Sequence, residues 1–378
     1  MLSFLSKSSS SFFGIDLGTT GIRIVELAWE NGRVALRNYV SLEAGKRINP
    51  DGTVVKKDIQ SLDKDTIESM KTILNTAEVA HHKVAMSVPA SSTFTSIVTF
   101  PRMPREQIEA AINYEARQYI PIPMEEVVFG WSIISNDRNQ PSAKGKEKEL
   151  EIRTNTAGKY GGEDKTRVLL IAIPKEISAK YLEIANAFSL DLVCLETESF
   201  SLARSLVGGR PGAYVIIDIG YKMTGITIVD DGSVTESHSI ATVGGEELTK
   251  VISNSFGVNE ERANLLKKES GLASEADKKL ADILMPILSI IISEVKKNQQ
   301  AYLRTNGKKI SGVILTGGSS RMPGLQQYIA DEMNLPVEMG NPFQKIAYDA
   351  ILEDKLAAIS SSYAVAVGLA LYNFEKGL

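Results

Sequence analysis

Residues Gly14–Leu27 read GIDLGTTGIRIVEL, and this stretch decides the fold. An apolar run stops at Asp16, passes through Gly18, Thr19, Thr20 and Gly21, and then resumes in alternation. Ile22, Ile24 and Glu26 face one way; Arg23, Val25 and Leu27 face the other. That is the period of a strand, so the segment after the glycine turn is not a helix. Asn31-Gly32 supplies a favoured two-residue hairpin turn, and Val34, Leu36 and Val40 begin a third strand. The unit is strand, polar turn, strand, hairpin, strand.

The same grammar returns in the second half as YVIIDIGYKMTGITIVDDGSVTES. Asp218-Ile219-Gly220 takes the place of Asp16-Leu17-Gly18, and Asp231-Gly232 that of Asn31-Gly32. A single Asp-x-Gly turn is commonplace, but the whole series repeated in one order marks an internal duplication. Glycine lets main-chain N–H groups approach a polyphosphate closely, while threonine hydroxyls and those amides donate to its oxygens. Asp16 and Asp218 cannot hold phosphate themselves; they would orient a magnesium ion through its waters, from two sides. Two such turns facing each other would clamp a nucleotide between two domains. A P-loop needs a helix after its glycines and a Gly-Lys-Ser or Gly-Lys-Thr ending, which is missing here. A third glycine signal, GVILTGGSSRMPGLQQYI, places a strand at Val313–Leu315, then Gly317, Gly318, Ser319 and Ser320, then a helix opening near Pro323. It falls where a base or ribose needs close backbone approach.

Composition sets the bounds. With 378 residues, 43% hydrophobic and 23% charged, the chain is expected to be a soluble globular protein with room for two or more domains. A net charge of −4 gives no broad basic field for nucleic acid. No apolar run approaches the roughly 20 uninterrupted residues that span a bilayer. Cys194 stands alone, which excludes an internal disulfide and, without neighbouring Cys or His, argues against structural zinc. His81, His82 and His238 lack metal-ligand spacing and read as structural. The opening MLSFLSKSSSSFF has no h-region or cleavage pattern, so it reads as a frayed tail rather than a signal peptide, and the expected compartment is the cytoplasm.

These three segments, in this order, resemble those of the actin, sugar-kinase and heat-shock chaperone ATPase superfamily. The resemblance implies an α/β fold of duplicated ribonuclease H-like domains that binds ATP and Mg2+. On it, Asp16, Gly18, Thr19, Thr20 and Gly21 match the first phosphate loop, with Arg23 where actin has a phosphate-contacting lysine. Asp218, Gly220 and Thr224 match the second loop, and Gly317, Gly318 and Ser319 the adenosine loop. Tyr221 and Lys222 stand where that pattern often has small residues, so any hydrolysis is expected to be slow. Lys267 in NEERANLLKKES fits the superfamily's Glu-x-x-Lys, with Asn264 replacing the acid; a solvated helix face explains the cluster nearly as well. Glu198 falls where active relatives orient water, and it reads equally as a carboxylate at a helix N-terminus. Asp16, Asp218 and Glu198 are thus the candidate catalytic groups, the two aspartates also holding the metal through water.

A second resemblance narrows the family. FPRMPREQIEAAINYEARQYIPIPMEEVVFGW, VCLETESFSLARSL and GNPFQKIAYD are similar to segments of the PilM family of type IV pilus assembly, which is related to FtsA. It implies a subdomain 1C in place of actin's 1B. The expected division is 1A at 12–91, 1C at 92–190 with a flexible insertion at about 135–166, and the rest of 1A at 191–212 and 345–378. Subdomain 2A takes 213–245 and 311–344, and 2B takes 246–310. Read without the family, Ile108, Ala111, Ile112, Glu115 and Tyr119 recur at helical spacing until Pro121 and Pro123 stop the helix. Its apolar face reads as core. The proline-bearing loops around Arg102, Met103, Tyr119, Pro121 and Pro123 make a rim for a peptide groove.

The resemblance implies a cytoplasmic ATP-binding scaffold held at the inner membrane by the N-terminal cytoplasmic peptide of a PilN-like protein. Through that partner it would reach a PilO-like protein, with the pilus motor ATPases as separate proteins. Self-association as a homo-oligomer stays open. So do three alternatives: an FtsA-like filament-forming protein, a type II secretion assembly protein, and a sugar-kinase-like phosphotransferase.

Overall fold

The computed structural model describes residues 11–43, 46–48, 54–56, 60, 64–134, 165–273 and 278–377. The opening tail at 1–10 and residues 135–164 of the expected insertion lie outside the described residues, while Lys165 and Thr166 open a strand.

The first half begins with β1 (Phe12–Gly18), β2 (Gly21–Glu30) and β3 (Arg33–Glu43), followed by a small hairpin of β4 (Lys46–Ile48) and β5 (Val54–Lys56), then α1 (Lys64–Thr76) and β6 (Lys83–Val88). Next come β7 (Phe94–Pro101), α2 (Arg105–Glu115), β8 (Val127–Ile134), β9 (Lys165–Pro174), α3 (Lys175–Ala187), β10 (Asp191–Thr197) and α4 (Glu198–Leu202). The second half runs through β11 (Ala213–Ile219), β12 (Thr224–Asp230), β13 (Ser233–Ile240), α5 (Gly245–Phe256), α6 (Glu260–Glu269), α7 (Lys278–Asn306), β14 (Ile310–Thr316), α8 (Leu325–Met333), β15 (Val337–Met339) and α9 (Glu353–Leu371).

The duplication is visible in strand order. One sheet runs β10-β6-β1-β2-β3 and the other β15-β14-β11-β12-β13, each a pair of antiparallel hairpins joined to two parallel strands. Both hairpins turn on two residues of positive φ, Asn31 (50°) with Gly32 (78°) and Asp231 (49°) with Gly232 (83°). That is the type I′ geometry which matches the twist of the flanking strands, and it is why Asn-Gly and Asp-Gly stand there.

A three-stranded sheet, β7-β9-β8, carries α2 on its own small core of Val98, Phe100, Ile108, Ile112 and Val168. The structure refines one sequence expectation. The helix ends at Glu115 and tightens into a 3-10 turn before Tyr119, as helix termini commonly do, and Pro121 and Pro123 keep it from resuming. Helix α3, within 92–190, buries Tyr181, Ile184 and Ala185 with Phe13, Ile15, Leu17 and Val84 of the first large sheet, together with Ile173 of the small one. Arg167 on β9 donates to Asn306 at the end of α7, tying the small sheet to the second half.

The largest cluster lies between the halves. It joins Phe12, Val25 and Ala85 of the first sheet to Ile216 and Ile314 of the second through α9 residues Ala364, Val367 and Leu371. Clearance there is minimal: a Cβ on Gly14 would sit 2.1 Å from the Ala366 carbonyl, and one on Gly368 2.0 Å from that of Ser201. The segment Ala350–Phe374 is long and apolar enough to cross a membrane, yet its helix is packed in this core. After α4 the chain makes one π-helical turn, Ala203–Val207, which lets Arg204 reach three groups. Its guanidinium pairs with Glu196 at 2.6 Å and donates to the Gly368 carbonyl at 2.8 Å, while its carbon centre lies over the Tyr372 ring.

Candidate functional site

Asp16 occurs at the end of β1, where the strand pairs it with Arg23 on β2, and Arg23 in turn with Ser41 on β3. The Arg23 guanidinium lies 3.9 Å from Asp16 Oδ2 and 3.7 Å from Glu43. Burial raises the Asp16 pKa above the ordinary carboxylate value, against the Arg23 charge and a hydrogen bond from Ser87. In the second half Asp218 takes the equivalent place, but its cross-strand partner is Gly225. Without a cation opposite it on its own sheet, Asp218 is pushed up to about 7, by burial first and then by the Asp16 charge, with Arg23 pulling the other way.

Glu198, at the start of α4, completes the set. Its pKa is pushed well above the usual value by burial, then by Asp16, then by Asp218. Tyr181 lies in the same field, its phenol raised by burial and by Glu198 and Asp16. Three separate elements therefore bring three carboxylates within electrostatic reach of one another, and burial together with their mutual repulsion disfavours the charged forms, a cost that a cation among them relieves as Arg23 does in part. Among the described residues no three His, Cys, Asp or Glu side chains converge into a direct ligand set. Asp16 and Asp218 could address a hydrated divalent ion through its waters, the mode magnesium favours.

The loops converge around these acids. Gly18 approaches so closely that a Cβ would meet Arg23 Nη1 at 3.2 Å and the Gly21 carbonyl at 3.3 Å; Thr19 and Thr20 are half-buried in the turn, and Thr19 donates to Gln60. Gly21 closes the turn opposite Gly18. Gly317 has φ 90°, and a Cβ on it would meet Asp218 Oδ1 at 2.3 Å, so only glycine lets this loop lie against the second aspartate. Gly318 faces open space, and Ser319 accompanies it with its amide donating to the Ile219 carbonyl. Gly220 is fixed by Gly245 N–H donating to its carbonyl at 2.9 Å.

Two predicted residues serve the scaffold around the loops rather than the cleft. The Thr224 hydroxyl is fully buried and donates to the Val243 carbonyl. Lys267 is buried beneath the first turn of α5, donating to the Gly245 carbonyl at 2.7 Å and to Thr249 Oγ1 at 2.8 Å. Tyr221 has its hydroxyl in the field of Glu246 and Glu260, its pKa raised to about 12 by burial first and then by those acids. Lys222 is exposed.

Sequence reading missed three contributors. Gly244-Gly245 opens α5 against both the second phosphate loop and Ser319, whose Oγ a Cβ on Gly245 would meet at 2.3 Å; the adjacent glycines before an acidic helix were the available signal. Ser87 and Tyr181 lie in apolar contexts with no local signature.

On the small sheet, Arg102, Pro121 and Pro123 are exposed, Tyr119 is 42% exposed and Met103 packs against the edge of the local core. A cavity of about 240 Å³ lies beside them, lined by Arg117, Ile122, Pro123, Met124 and Glu125. Tyr114 on α2, which the sequence did not single out, is 71% exposed.

Two duplicated halves with an acid-bearing glycine turn in each define an actin-like ATPase fold. Similar solved structures support the class: ethanolamine utilization protein EutJ from Carboxydothermus hydrogenoformans has a TM-score of 0.51 at 17% identity, covering 96% of this chain and 89% of that one. MreB 5 of Spiroplasma citri bound to AMPPNP gives 0.50 at 16%, covering 97% and 99%. The chain of a PilM-PilN type IV pilus biogenesis complex gives 0.73 at 22%, covering 97% and 98%. The chain belongs to the PilM family: the family model described as type IV pilus assembly protein PilM matches residues 14–150 and 151–374. Curated relatives include cell division protein FtsA of Borreliella burgdorferi, 26% identical over 211 residues, and FtsA of Bacillus subtilis, 23% over 253. These alignments cover 50% and 60% of this chain, which spans about half the length of the curated relatives it matches, 49% and 54%.

Proposed function

We propose that this chain is an ATP-binding scaffold of type IV pilus assembly, in which MgATP sits between the two halves and the small sheet receives an extended peptide from a PilN-like membrane protein. The observation that carries the nucleotide reading is the meeting of Asp16, Asp218 and Glu198 beneath glycine loops contributed by both halves. Bound magnesium would neutralise phosphate charge. The chain's own residues supply the rest: Asp16 and Asp218 orient the ion's waters, the amides around Gly18, Gly220 and Gly317 meet phosphate and sugar oxygens, and Arg23 adds positive charge. Glu198 would orient water for a slow turnover.

The peptide reading is supported by membership of the PilM family and by the similarity to the chain of a PilM-PilN complex. Exposed Arg102, Tyr119, Pro121 and Pro123 offer a pre-organised rim with a cationic end, and Met103 an adaptable apolar contact. Such a partner would place the protein at the cytoplasmic side of the inner membrane. Calorimetry tests both parts. Wild-type protein should bind MgATP, and Asp16→Ala should bind at least tenfold more weakly with its melting temperature kept. A leucine- and proline-containing peptide of the partner's N-terminus should bind wild type and not a Met103→Asp, Tyr119→Ala variant. Equal nucleotide affinity in Asp16→Ala would remove the site, and equal peptide affinity would move the partner elsewhere.

A further inference from the structure

We propose that Ser87 is the positioning residue that sets the direction of the Asp16 carboxylate toward hydrated magnesium, an inference that rests on the nucleotide reading above. Ser87 comes from β6, one residue beyond the Ile15–Met86 pair, and is 1% exposed. Its hydroxyl has a single proton, and the geometry determines where it goes. Ser87 Oγ accepts the Leu17 N–H at 3.2 Å and donates to Asp16 Oδ1 at 2.9 Å. One hydroxyl thus holds both the acid and the root of the Gly18 loop. With Oδ1 engaged inward, Oδ2 is left on the side of Arg23, 3.9 Å from its guanidinium.

The second half makes the contrast. Thr316 stands beside Asp218 in register, just as Ser87 stands beside Asp16, but the Thr316 hydroxyl donates to the Ser361 carbonyl on α9 at 3.0 Å. Only the first aspartate is held by its neighbouring strand's hydroxyl. The duplicated acids are therefore held unequally: Asp16 has one carboxylate oxygen fixed by the hydroxyl of its neighbouring strand, and the corresponding hydroxyl beside Asp218 is turned to α9.

Outer partners that orient a metal-directing group typically contribute tenfold or more to metal affinity. Ser87→Ala should weaken MgATP binding about tenfold while ATP binding in EDTA and the melting temperature hold near wild type, and Ser87→Thr, which keeps the hydroxyl, should restore it. A nucleotide-free crystal structure supplies the second readout, with the Asp16 carboxylate turned from its place in Ser87→Ala and kept in Ser87→Thr. Wild-type binding with an unaltered Ser87→Ala, a loss equal with and without magnesium, or an unmoved carboxylate would each overturn the inference alone. Wild-type protein that binds no MgATP would overturn the nucleotide reading and this inference with it.

Discussion

A carboxylate raised to about 7 gives the site a pH signature. Asp218 in the fold holds its proton to higher pH than in the unfolded chain, where its value is the ordinary 3.8. Between pH 4 and 7 the folded state therefore binds more protons, and stability falls as pH rises through that window. Asp218→Asn should raise the melting temperature at pH 8 and leave it nearly unchanged at pH 4, which thermal scans at the two pH values will check. Glu198→Gln replaces a second buried carboxyl whose pKa is held well above the usual value, so it should lessen the loss of stability that rising pH brings to the nucleotide-free protein while lowering any ATP turnover. Turnover in the wild type should stay well below about 10 per second, the median for enzymes. A bulky residue in a phosphate loop costs alignment of the attacking water long before it costs binding. Steady-state phosphate release measures it. Among single residues, Asp16, Gly18 and Asp218 were legible because their turn chemistry is local. Ser87 was not, since its meaning comes from a parallel strand that the sequence brings in only after a long excursion.

Between elements, the deciding contacts are those of α9 with β1 and α4. A methyl group at Gly368 would overlap the Ser201 carbonyl, so Gly368→Ala must push the two helices apart. A cost of about 1–3 kcal/mol or more is expected, read as a lower denaturant midpoint. Arg204 is the polar counterpart of that contact. With Arg204 and Glu196 side chains only 6% and 1% exposed, Arg204→Ala breaks a buried ion pair and should destabilise by about 3–5 kcal/mol. Both hairpins were legible because Asn-Gly and Asp-Gly demand one turn type, whatever surrounds them. The attachment of α3 was not, because the stripe of Tyr181, Ile184 and Ala185 says that one face is buried without saying against which sheet. Periodicity gives a face; register and chain path give its neighbour.

At the scale of the whole molecule, a ligand held by both halves should stabilise them together. At a hundredfold excess over its dissociation constant, MgATP should add about 2.7 kcal/mol, seen as a rise in melting temperature that EDTA reduces. The helix α9 adds a constraint in time. β1 needs that helix to cover it, yet α9 lies about 340 residues further along the chain. At ~5–20 residues per second, a ribosome would make the first strand roughly 20–70 s before its covering helix. Throughout that interval the nascent chain exposes an apolar sheet face, and the segment that will cover it is itself apolar enough to partition into lipid. Slower translation or scarcer chaperones should therefore lower the soluble yield of this protein without changing the melting temperature of the fraction that folds, which expression trials with thermal scans of the purified protein will check.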